Sequence, residues 1–242
     1  MAPPDNDVLW ARSLHYSLEG STALSGVSLG VREGEILALV GPRGSGKTAL
    51  MHCLSGQAVA QQGEVWFNSS PVHTLNQAQR ERLRRERFGW IGPEPGLVPE
   101  LTAWENAALP LLLRGVSHRT ARTTALEWLE RLDIGMCARK RPHALTQSQR
   151  QRIAITRALV TIPSVLFADE PTAALHQADG SQVLRTLTAA ARSHDITVLL
   201  ATHDTEVAAL ADRSVALLDG RRVNGAEPTT GAEGVTTCSL SV

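Results

Sequence analysis

Short apolar runs, each bounded by glycine, proline or a polar cluster, set the pattern of this chain. Residues 36–40 (Ile-Leu-Ala-Leu-Val), 165–168 (Val-Leu-Phe-Ala), 197–201 (Thr-Val-Leu-Leu-Ala) and 214–218 (Ser-Val-Ala-Leu-Leu) lack the alternation of a half-exposed strand. That predicts strands covered on both faces, as in a parallel sheet. Segments 8–18 and 23–31, split by Glu19, Gly20 and Ser21, read as further strands, as do 64–67 and 88–91, and Asn68 to Pro71 read as a turn. Helices are expected at 49–54, closed by Gly56, at 75–87, where arginines surround the helix, and at 178–192. A helical block covers 102–113, 117–132 and 147–160, and Pro110 predicts that the first of these ends or kinks there. Between strand 88–91 and that block, Gly92-Pro93-Glu94-Pro95-Gly96 excludes regular structure. The order predicts an α/β fold with a mostly parallel sheet, an antiparallel β edge and an α-helical subdomain inserted at about 93–160. The domain is expected to span 8–223, between a flexible lead at 1–7 and a flexible tail at 224–242 rich in Gly, Thr, Ser and Glu.

Composition narrows this further. With 242 residues, 43% hydrophobic and 20% charged, the chain can bury one large core or two closely packed ones. A formal net charge of zero removes any global electrostatic case for a nucleic-acid partner, and none is expected. The arginine run in 75–87 could address RNA, but a solvated helix face is the commoner meaning of such a run. Cys53, Cys137 and Cys238 are scattered with no C-x-x-C spacing, which suits a reducing compartment. No window approaches eighteen apolar residues and the first residues lack a basic-then-apolar signal, so the chain is not expected to cross a membrane itself.

The chemistry centres on Gly41, Pro42, Arg43, Gly44, Ser45, Gly46, Lys47 and Thr48, which fill the template G-x-x-x-x-G-K-[ST] between a buried strand and a helix. The alternative, a plain Gly-rich strand-to-helix turn, does not account for the full match. Glycines let successive N–H groups point inward, and the helix adds the positive end of its dipole, so the loop is built for phosphate. Lys47 would reach the β- and γ-phosphates and Thr48 would offer its hydroxyl to Mg²⁺. Residues 165–168 run into Asp169 and Glu170, placing two carboxylates at a strand's C-terminal end, where α/β sheets bind ligands. Alone these could be solvated turn residues; beside a phosphate loop they read as a Mg²⁺ partner (Asp169) and a base for an attacking water (Glu170). His203, just past the strand 197–201, is expected at the same edge, facing the γ-phosphate.

With these residues in place the chain resembles the ATP-binding subunit of an ATP-binding cassette (ABC) transporter, over nearly all of 8–223. The phosphate loop, the helical insert, the segment opened by Leu145, Thr146, Gln147, Ser148 and Gln149, then Asp169-Glu170-Pro171-Thr172 and Thr202-His203-Asp204 follow in the family's order. Leu101-Thr102-Ala103-Trp104-Glu105-Asn106 and the residues to Leu112 resemble the subgroup of lipoprotein release and macrolide-type export. The resemblance implies a P-loop NTPase core, ATP and Mg²⁺ as ligands, hydrolysis with Glu170 and His203 as catalytic residues, and Tyr16 stacked on adenine. It further implies a second ATP-binding subunit, an integral membrane permease contacted around 93–112, and a cytoplasmic position at the inner face of the cell membrane. Apolar residues in 93–112 could equally be internal packing.

Three departures from the family pattern stand out. The signature Leu-Ser-Gly-Gly-Gln is here Leu145, Thr146, Gln147, Ser148 and Gln149, so a capping box survives but two close-approach glycines do not. The family's glutamine after strand 88–91 aligns with Pro93, which has no side-chain amide and no N–H, with Glu94 as a partial substitute. The family's aspartate after Ala174 and Leu175 is His176. Losing one positioned transition-state donor costs about 3 kcal/mol. The expectation is therefore an asymmetric heterodimer in which this chain's own phosphate loop forms the more active site; the alternative is a slow or inactive ATP-binding regulatory module.

Overall fold

Strands without alternation need cover on both faces, and the computed structural model, which describes residues 7–18 and 20–223, shows how each face is covered. The central sheet has six strands in the order β10-β9-β3-β8-β7-β6: β3 (Ile36–Val40), β6 (Phe88–Ile91), β7 (Val165–Asp169), β8 (Thr197–Thr202), β9 (Arg213–Leu218) and β10 (Arg221–Val223). All its pairings are parallel except β10 with β9. A second, antiparallel sheet runs β2-β1-β4-β5, from β1 (Asp7–Leu18), β2 (Ser21–Arg32), β4 (Gln62–Phe67) and β5 (Ser70–Pro71). It is the expected antiparallel part of the fold.

The period of two along each central strand sends alternate residues into two cores. Val165 and Phe167 of β7, with Leu199 and Ala201 of β8, face the antiparallel sheet and α1 (Lys47–Leu54). Leu166, Ala168, Val198 and Leu200 face the helical layer. That layer holds α3 (Ala103–Leu113), α4 (His118–Arg131), α5 (Gln147–Leu159) and α6 (Gln177–Ser193). The arginine-rich helix α2 (Gln77–Arg87), polar apart from Ala78 and Leu83, fully buries none of its residues, and Leu83 alone among its hydrophobics packs against the core, half-buried.

Differences from the sequence reading are local. Helix α3 runs through Pro110 to Leu113. Pro110 removes one N–H from the last turn, while the N–H of Arg114 caps that turn by donating to the Pro110 and Leu111 carbonyls. The turn expected over Asn68 to Pro71 is tighter: Asn68 and Ser69, at φ of 45° and 59°, form a two-residue hairpin loop, and Ser70 and Pro71 already pair with β4. Helix α1 starts at Lys47 rather than at Ala49, a helix start follows His203 as expected, in the short helix α7 (Thr205–Ala208), and strand β10 adds to the expected elements. The expected lead and tail lie outside the described residues, except Asp7, which opens β1.

Candidate functional site

Strand parity places the first carboxylate. Residues 165, 167 and 169 share the face turned toward α1, so Asp169 emerges beneath the first turn of that helix. There Thr48 Oγ1 donates to Asp169 Oδ2 at 2.7 Å. Asp169 is 5% exposed, and its Oδ1 has no hydrogen-bond partner among the described residues. Burial, with a smaller contribution from the neighbouring Glu170 charge, raises its pKa above the ordinary carboxylate value against the opposing effects of Thr48, His52 and Lys47. A buried carboxylate with one free oxygen beside a hydroxyl is a donor set that fits a hard divalent cation.

The loop before α1 closes on itself in a way that glycine alone permits. Gly46 caps the helix at φ 100°, and a Cβ there would lie 2.5 Å from the Ala23 carbonyl oxygen. The N–H of Gly220 donates to the Ser45 carbonyl at 3.1 Å, tying the loop to the β9–β10 turn. Lys47, 6% exposed, arches back over the loop, its Nζ donating to the carbonyls of Gly41 at 2.7 Å and Pro42 at 3.0 Å. The first N–H groups of α1 have no partner within the helix, and Ser45 Oγ is buried with no partner among the described residues. A buried ammonium, unpaired N–H groups and a helix N-terminus around one concavity suit a polyphosphate.

Glu170 leaves the sheet in the left-handed conformation, at φ 46°. Its backbone N–H donates to the Ala201 carbonyl at 2.9 Å, which holds it against the end of β8. His203 Nδ1 lies 2.9 Å from each Glu170 carboxylate oxygen, and Lys47 Nζ lies 3.8 Å from Oε1. Because an ionised carboxylate only accepts, Nδ1 is the donor in this contact. Lys47, Thr48, Asp169, Glu170 and His203 therefore converge, as expected. Arg43, Glu170, His176 and His203 also line one cavity of about 440 Å³.

Other candidates stand apart from this cluster. Tyr16, half-buried on β1, pairs with Leu24, whose side chain reaches to 3.1 Å of the Cβ position at Gly46. Leu145 to Gln149 open α5, where Thr146 Oγ1 accepts from the Gln149 N–H at 3.2 Å and Gln149 Oε1 accepts from the Thr146 N–H at 3.0 Å. The expected capping box is thus formed, and no hydrogen bond or ion pair joins these residues to the five above among the described residues. Pro93 and Glu94 are exposed, and Glu94 makes no bond to Thr48 or Asp169 among the described residues. Sequence reasoning passed over Gln151, which is 1% exposed. The available signal was a polar residue at the spacing of Ile155 and Ala158, on the buried face of α5.

Residues 24–173 match the model of a family described as ABC transporter. Over 198 residues, 82% of this chain and 87% of the relative, the sequence is 39% identical to the uncharacterized ABC transporter ATP-binding protein YbbA of Escherichia coli K12. It is 40% identical over 211 residues, 86% of this chain and 92% of the relative, to the lipoprotein-releasing system ATP-binding protein LolD of Paramagnetospirillum magneticum. The dimeric post-hydrolysis structure of the ATP-binding cassette MJ0796, bound to ADP and phosphate, has a TM-score of 0.81 at 31% identity, covering 88% of this chain and 96% of that one.

Proposed function

The chain belongs to the ABC transporter family as an ATP-binding subunit, and from that premise we propose that it hydrolyses ATP with Glu170 as the base. The convergence of Lys47, Thr48, Asp169, Glu170 and His203 carries this reading. Residues 41–48 cradle the phosphates, and Lys47 exchanges two loop carbonyls for phosphate oxygens. Thr48 and Asp169 hold magnesium, which neutralises charge on the phosphates when bound. Glu170 takes the proton of the attacking water at its carboxylate, and the N–H of His203 fixes the orientation of that carboxylate. Tyr16 receives the adenine. The ATP-binding domain is read as 8–223, with 93–160 as its helical subdomain.

No helix among the described residues is long and apolar enough to cross a membrane. We place the chain on a separate permease, at the inner face of the cell membrane, a reading supported by its similarity to the ATP-binding protein of a lipoprotein-releasing system. A groove of about 510 Å³ lined by Arg84, Arg85, Trp90, Leu109, Pro110 and Leu113 takes in part of the segment expected to meet it. Within that segment Ala103, Ala107 and Ala108 are fully buried, so internal packing claims them instead. Opposite the signature of Leu145 to Gln149 we place a second, different ATP-binding subunit. The test is co-purification from membranes with ATPase assay of the complex. We expect two kinds of ATP-binding chain and a loss of about a hundredfold or more in turnover for Glu170→Gln. Full turnover by a homodimer, or turnover indifferent to Glu170→Gln, refutes the proposal. Exposed Pro93, with neither amide nor N–H, favours one second reading, a regulatory module that binds ATP tightly without turnover.

A further inference from the structure

We infer that Gln151 is a positioning residue for Glu170, linking the helix that bears the signature to the hydrolytic carboxylate through one buried amide. The inference rests on the ATPase reading above. Gln151 Nε2 donates to the Pro171 carbonyl at 2.7 Å and to the Gly92 carbonyl at 3.1 Å. Its Oε1 is buried with no partner among the described residues. That asymmetry fixes the orientation of the amide, because a flipped amide would set its oxygen against two carbonyl oxygens. The side chain is held for its two donors.

Both acceptors sit next to a residue of the site. Pro171 follows Glu170, whose φ of 46° is a conformation that a non-glycine residue keeps only when its surroundings over-determine it. Three bonds do so: the Glu170 N–H to the Ala201 carbonyl, the Ala173 N–H to the Glu170 carbonyl at 3.1 Å, and Gln151 to Pro171. Only the last comes from a side chain of another element. Gly92 precedes Pro93, and the far end of the same loop is held by Arg157 of α5, whose guanidinium donates to the carbonyls of Pro95 and Gly96 at 2.8 Å each. Helix α5 therefore grips the 92–96 loop at two points and the Glu170 turn at a third. A displacement of α5, whose first turn is the signature, is passed to Glu170 without any contribution from position 93.

Gln151→Leu removes both bonds at nearly constant volume. In the co-purified complex we expect turnover to fall about tenfold to a hundredfold while the Kd for ATP stays within about twofold. In the free chain, amide exchange should quicken together in peptides spanning 89–98 and 168–176 and remain unchanged in β1 and β2. If the leucine variant does not fold, Gln151→Asn, too short to span both carbonyls, is read by the same two measurements. Unchanged turnover with an intact fold overturns the inference, as does a parallel loss of turnover and ATP affinity, which marks a merely structural residue. Unchanged exchange in either peptide also overturns it. A wild-type complex without turnover instead sinks the ATPase reading, and the exchange measurement still decides whether the tether exists.

Discussion

Replacing Asp169 with asparagine should stabilise the nucleotide-free chain and cripple binding of magnesium and ATP together. The wild-type carboxylate is 5% exposed, with one oxygen bonded to Thr48 and the other unpaired among the described residues. Burial outweighs the attractive contributions of Thr48, His52 and Lys47, so the pKa stands above the ordinary value. A carboxyl raised in this way binds its proton more tightly folded than unfolded. Stability is then free of the penalty below about pH 4, falls as pH rises through the raised value, and stays reduced above it. An amide of the same shape still accepts from Thr48 but carries no charge. Since an unsatisfied buried polar group costs about 1–3 kcal/mol, and a charged one more, Asp169→Asn should gain about 1 kcal/mol or more near pH 8. For a chain of this size that is about 2–4 °C in Tm.

The assay is urea or thermal unfolding of both proteins across that pH range, with magnesium chelated and nucleotide removed. The gap between them should close as pH falls below ~4, where wild-type Asp169 becomes neutral in both states. Adding ATP and magnesium should reverse the order, because a ligand at about a hundred times its Kd adds about 2.7 kcal/mol to the protein that binds it. A variant less stable than wild type near pH 8 without ligands, or a gap that ignores pH, would refute the reasoning.

Two further outcomes follow from particular contacts. Gly44→Ala and Gly46→Ala should separate by chemical denaturation. Both glycines have positive φ, but nothing lies within 4 Å of a Cβ at Gly44, so that variant should lose only the backbone cost of about 1–2 kcal/mol, while Gly46→Ala loses more by collision with the Ala23 carbonyl. Asn106, fully buried, shares its two amide hydrogens among the carbonyls of Val98, Leu101 and Thr102, each 3.1 Å from Nδ2, and accepts from the Val98 N–H. Asn106→Leu should therefore cost about 2 kcal/mol, measured as a drop in the urea midpoint with ATP affinity retained.

Much of this was legible in sequence because short-range physics controls it. The unbroken apolar runs of β3, β7 and β8 could be satisfied only between two layers, and strand ends in an α/β sheet bring Thr48, Asp169 and His203 to one edge whatever the details of packing. The capping box at Thr146 and Gln149 needs only four consecutive residues, and it formed. Long-range complementarity was illegible. Local propensity at Pro110 left open whether the helix ends or kinks there; packing of Ala107, Ala108 and Leu111 into the helical core carries α3 on to Leu113. Gln151 looked like one more polar residue of a polar helix, since its partners lie 59 and 20 positions away. The fourth strand of the antiparallel sheet, β5, is two residues long, too short to leave a periodic signal.

The same division bears on the departures from the family pattern. Within one chain the phosphate cradle, the Thr48–Asp169 pair and the Glu170–His203 pair are intact in geometry, whereas the altered signature at Gln147 and Ser148 lies on α5, joined to none of those residues by hydrogen bond or ion pair among the described residues. On the proposed reading, a signature acts across the interface on the partner's nucleotide. The Cβ atoms at 147 and 148 then obstruct the partner's site, not this chain's own. His176 differs in kind, because it lines the same cavity as this chain's Glu170 and His203. On the same reading it places an imidazole beside the proposed hydrolytic pair where an aspartate is expected, a change that leaves the proposed base, Glu170, in place. Degradation of the chain's motifs is thus unequal between the two sites of the proposed pair, and it is this inequality that calls for a partner unlike itself.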